Sequence, residues 1–161
     1  MKKTIRLFAI FVVLFSTVTL MSSCKKDVSN LPGTWKAITA TINGDSEDDL
    51  KDEWTFVSGG TCNIKCDFDE YFDDNVSVAP EYDLINFNGT YTTEGNKKLT
   101  IKSDKFHQRG DEYYEQIVYN LDIDMLNKKN MIVNGTITFY RYDGNISNTK
   151  TANISLSLSK K

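Results

Sequence analysis

Ile117-Val118-Tyr119-Asn120-Leu121-Asp122-Ile123-Asp124-Met125 is the stretch that decides the fold. Ile117, Tyr119, Leu121, Ile123 and Met125 recur at every second position, against Asn120, Asp122 and Asp124. A two-residue period puts successive side chains on opposite faces of an extended chain, so this is a β-strand with one buried face. A helix would scatter the same residues around its circumference.

The same pattern continues on both sides. Downstream, the polar turn Asn127 to Lys129 leads into a run whose apolar face carries Val133, Ile137 and Phe139, and a final run sets Ile154, Leu156 and Leu158 against serines. Upstream, Cys62, Ile64, Cys66 and Phe68 oppose Thr61, Asn63, Lys65 and Asp67. Eight such runs follow residue 30, over 33–42, 53–58, 61–69, 87–93, 97–103, 113–126, 130–141 and 150–159, with no long helical period among them. The class expected is all-β.

The connections alternate in length. Ser58-Gly59-Gly60, Glu94-Gly95-Asn96 and Asn127 to Lys129 are tight polar turns. The others, 43–52, 70–86, 104–112 and 142–149, are longer. In an up-and-down meander the two kinds fall at opposite ends, one tightly closed and one carrying four long loops. Eight antiparallel strands can close into a barrel that leaves no edge and holds side chains or one small ligand.

Residues 1–23 read as an export signal: Lys2, Lys3 and Arg6 precede an apolar core from Leu7 to Leu20. Leu20-Met21-Ser22-Ser23-Cys24 resembles a bacterial lipoprotein signal, which implies that Cys24 is lipidated and begins the mature chain. Residues 24–30 are then a lipidated tether and 31–161 the folded domain. Acyl chains on Cys24 imply a membrane partner and a place in the cell envelope, at the outer membrane, with the periplasmic or the surface face left open. The leader holds three of the 19 basic residues and none of the 22 acids, leaving the mature chain at −6. A nucleic-acid partner is disfavoured by that charge.

Pro32-Gly33-Thr34-Trp35-Lys36 looks like the Gly-x-Trp signature of lipocalins. Trp54-Thr55-Phe56 with Gly60-Thr61, and Gly89-Thr90-Tyr91 with Asn96 to Ile101, resemble the lipocalin-like domains of small bacterial envelope lipoproteins. The resemblance implies an eight-stranded barrel whose narrow end is closed by Trp35, with Gly33 beside it. Where the family has a late arginine packed across the tryptophan, Lys160 is the basic residue in phase, a candidate for a cation–π pair. The opposite end is implied to frame a ligand mouth.

The four longer connections sum to −11, against +5 for the rest of the mature chain. An acidic rim with interleaved aromatics suits a neutral or cationic ligand, a sugar or an apolar amine, but the simpler reading, solvated loops that keep the protein off an anionic surface, is the favoured one. Tyr71, Phe72, Tyr82, Phe106, Tyr113 and Tyr142 are the aromatic candidates there, with Tyr114 beside them. Arg141 shares the inward phase of Ile137 and Phe139, where a lone charge is costly, so it meets either a ligand carboxylate or an acid of the rim. Asp67, Asp69, Glu70, Asp73 and Asp74 lack calcium-loop spacing, so no metal is assigned. Cys62 and Cys66, four residues apart on one strand, are ~13 Å apart and act as small buried hydrophobes. His107 is the single histidine, and no nucleophile or metal pattern surrounds it, so neither catalysis nor a cofactor is expected.

Two functions fit. One is non-enzymatic binding of a small apolar or amphipathic molecule inside the barrel. The other is an envelope interaction module whose barrel is filled by its own side chains and whose loops meet a protein or glycan.

Overall fold

The computed structural model describes residues 27–47, 50–67, 84–106 and 114–161. A 3₁₀ turn at Val28–Asn30 precedes nine strands: β1 (Gly33–Ile42), β2 (Asp45–Glu47), β3 (Glu53–Val57), β4 (Thr61–Asp67), β5 (Leu84–Glu94), β6 (Lys98–Ser103), β7 (Tyr114–Leu126), β8 (Asn130–Asp143) and β9 (Asn145–Lys160). From β3 to β9 each strand pairs antiparallel with the next, and β9 returns to pair with β1. The sheet is thus a closed eight-stranded up-and-down barrel, with β2 as an extra short strand. Closure removes the free edges that an open sheet of this size would expose.

Alternation puts the apolar rows inside. Trp35, Trp54, Phe56, Tyr119 and Phe139 are at most 2 % exposed, and aliphatic residues from every long strand surround them. Trp54 stands edge-on to both Tyr119, at 5.2 Å, and Phe56, at 6.3 Å. Phe56 in turn meets Tyr91 at 5.0 Å, so a run of rings crosses the lower barrel. Gly135 allows β8 to lie close against β7: a Cβ there would sit 2.0 Å from the Asn120 carbonyl oxygen.

Four departures from the sequence reading have physical causes. The stretch 142–149 is no long loop, because β8 and β9 stay paired up to Asp143 and Asn145 across a tight turn at Gly144. The stretch 43–52 contains β2, which folds back on β1 through Asn43-Gly44 and pairs Ile42 with Asp45. Met125 does not point inward: a bulge between Ile123 and Met125 shifts the phase, and Leu126 takes the buried place. Asp52 belongs to the core rather than the acidic rim, fully buried and accepting a hydrogen bond from Trp54 Nε1 at 3.1 Å.

The closed end is built over Trp35. Its indole Nε1 donates to the Leu31 carbonyl at 2.8 Å. Lys160 Nζ lies 5.0 Å from the centre of the Trp35 ring and donates to the Asn30 carbonyl at 2.7 Å. Gly33 has φ +125°, and a Cβ on it would come within 2.5 Å of Lys160 Cε, so the glycine makes room for the lysine stem. Residues 27–30, read from sequence as the end of the tether, lie against the barrel: the Asp27 N–H donates to the Leu126 carbonyl at 3.3 Å, and Val28 packs on the core.

Candidate functional site

The chemistry-bearing residues gather at the other end, and the local structure of β6 and β7 explains how. The β6–β7 ladder stops at Lys102 and Val118 and resumes as a single bridge between Phe106 and Glu115. Between them Ser103 and Gln116 supply side-chain bonds in place of ladder bonds. The Ile117 N–H donates to Ser103 Oγ, and Gln116 Nε2 donates to the Ser103 carbonyl, both at 2.8 Å. The bridge fixes Glu115 in phase with Ile117 and Tyr119, aimed at the interior.

Glu115 is fully buried and stands directly across from Arg141 of β8. Arg141 Nη2 and Nε donate to Glu115 Oε1 at 2.9 and 3.2 Å. The arginine side chain keeps 15 % of its surface exposed while the glutamate keeps none, so the pair sits just under the mouth with the cation outermost. Arg141 Cζ lies 6.0 Å from the centre of the Phe139 ring below it. Phe106, bridged to Glu115, stacks on Phe87 of β5, 6.5 Å between centres and 4° between planes. Among the described residues the upper interior thus holds an ion pair with the Phe139 ring beneath it and the Phe87–Phe106 stack packed on the same core.

Among the described residues the acid that Arg141 meets is Glu115 of the neighbouring strand. Glu115 escaped the sequence reading although the signal was available: it is two residues before Ile117 and so shares its phase. Phe106 belongs with this group. Tyr142 does not: its hydroxyl donates to Gln116 Oε1 at 3.3 Å and Lys105 Nζ stands 4.1 Å from its ring centre, on the outer face with Gln116 and Tyr140. Tyr114, directly opposite Tyr142, is about half exposed on that same face. Tyr71, Phe72, Tyr82, Tyr113, Phe68, His107 and Cys24 lie outside the described residues, as do Asp69, Glu70, Asp73 and Asp74.

Cys62 and Cys66 are buried on the inner face of β4 and form no disulfide. Burial pushes the Cys62 thiol up to about 11, and the nearby Asp104 charge adds to the effect. Burial also raises the Tyr91 phenol, with a smaller contribution from Cys62. Among the described residues no group of three metal-ligating side chains converges.

Fold and site together define a closed antiparallel barrel with a packed aromatic floor and a charged, aromatic mouth. Compared with protein-family models and with the curated proteins, the chain matches none.

Proposed function

We propose that the chain is a lipid-anchored envelope lipoprotein of lipocalin-like type that binds a small amphipathic molecule at the barrel mouth, without catalysing a reaction. The anchor is Cys24 and the setting is the outer membrane. The Gly-x-Trp motif, the lipoprotein-type signal and the closed barrel support this reading jointly. The observation that carries ligand binding is the Arg141–Glu115 pair. A buried ion pair is a poor way to stabilise a fold, since apolar residues of similar volume do as well or better. With Phe139 beneath it and Phe87 and Phe106 packed on the same core, it is suited to fixing the polar end of a ligand whose apolar part lies on the rings.

A second reading, a filled barrel acting as an interaction module, is favoured by the rings that occupy the lower interior. Under it the acidic outer loops meet a protein or glycan. Native mass spectrometry of protein purified from its host separates the two. Ligand binding is expected to show as a retained small molecule that Arg141→Met weakens. Bare protein from several preparations, unchanged by that substitution, would leave the interaction module.

A further inference from the structure

We propose that the closed end of the barrel is a membrane-docking face, seated on the anionic headgroups of the bilayer that holds the acyl chains. The mouth is then presented away from that bilayer. This inference rests on the acylation of Cys24 proposed above and adds an orientation to it.

Chain length supplies the first argument. Only Lys25 and Lys26 separate Cys24 from Asp27, whose backbone is bonded to the end of β7. Three Cα–Cα steps reach at most about 10 Å, so the closed end cannot stand farther than that from the acylated residue. The open end is much more remote. β9 runs 16 residues from one end to the other. At ~3.3 Å per residue and the ~40° tilt usual for eight strands, the mouth is roughly 35–40 Å away.

Charge supplies the second. The turns of the closed end carry exposed Lys97, Lys128 and Lys129, and among the described residues no carboxylate is ion-paired to any of them. Acids stand at this end too and keep their charge, Glu53 paired with Lys161, Asp27 accepting from the Ser29 N–H and Asp124 from Asn134, but with Glu94 and Asp122 they number five against the eight lysines Lys25, Lys26, Lys97, Lys98, Lys128, Lys129, Lys160 and Lys161. Glu94 and Asp122 flank Lys98 from the neighbouring strands. Of these lysines, Lys25 and Lys26 stand next to the anchor. A basic surface held within about one Debye length of anionic lipid is attracted to it. The rim end, with exposed Asp45, Asp104 and Asp143, is repelled. Tether and charge thus select the same face.

The test uses the full chain, expressed so that it is processed and acylated, in vesicles of phosphatidylcholine with and without phosphatidylglycerol. A membrane-impermeant amine reagent is read out by peptide mass spectrometry. Lys97, Lys128 and Lys129 are expected to label several-fold more slowly in the anionic vesicles, with the protection lost in high salt. Lys105 and Lys150, toward the mouth, are expected to label equally in both. Equal labelling of the closed-end lysines, or protection of Lys105 and Lys150 instead, would overturn the docking. Flotation of the vesicles and the intact mass at Cys24 report the anchor separately. An unacylated chain that does not float overturns the anchor and this orientation together; an acylated, floating chain with even labelling overturns the orientation alone.

Discussion

The two ends of the barrel solve the same problem, closing an apolar interior against water, by different means. At the closed end the polar groups beneath Trp35 are backbone carbonyls, satisfied by the indole N–H and by the Lys160 ammonium, and apolar packing closes the rest. At the open end a carboxylate and a guanidinium are placed inside, with the Phe139 ring near the guanidinium. The first arrangement stabilises the fold directly. The second contributes little net stability while making each of its partners costly to remove.

Trp35→Ala tests the first arrangement hardest. Deleting a fully buried indole from the floor should cost ~3–5 kcal/mol in a denaturant titration, and any molecule retained at the mouth should stay bound. Loss of that molecule alongside unchanged stability would erase the distinction between the ends. At the mouth, Arg141→Met leaves Glu115 buried without its main cation and should cost about 3 kcal/mol, whereas Arg141→Met combined with Glu115→Leu should recover most of it. Additive losses in the double variant would mean that the pair is structural in the same sense as Trp35.

Lys160→Met sharpens the account of the floor. It removes a charged hydrogen bond and a cation–π contact but keeps the apolar stem, so ~1–2 kcal/mol is expected. The smallest effect concerns pH. The Cys62 thiol has its folded value raised to about 11 from an ordinary 9.0. An unfolded chain therefore releases this proton first as pH climbs through 9, which favours unfolding. The contribution is intact below pH 9 and declines toward pH 11; Cys62→Ala should flatten that part of the stability profile. At neutral pH Cys62 should resist alkylation until the protein unfolds.

The alternation of residues 117–125 was enough to establish the strand class, and the tight turns placed Trp35 at the closed end. What stayed hidden has a common cause, since periodicity reports burial on one face and nothing else. The upper β8–β9 hairpin, Asn145 to Thr149, has no buried side chain described, so its strand carried no pattern and read as a loop. Bulges break the phase without marking the residue where they occur, which misplaced Met125. Asp52 was counted with the acidic rim because residue type was weighed above the indole two positions away, and Glu115 was passed over although it shares the phase of Ile117. At the site, Arg141 and Phe106 were legible from phase and composition, while the glutamate that completes the pair was not.

The seam between β1 and β9 carries a consequence for how the chain reaches its place. Its pairings join residues more than a hundred positions apart, Ile42 with Ile154 and Trp35 with Lys160. The ring cannot close before the last strand has been made, and contacts of such separation form slowly. During synthesis the earlier strands form at best an unclosed sheet. Closure of this seam is therefore expected to be the late step of folding, after the β3–β9 hairpins have paired.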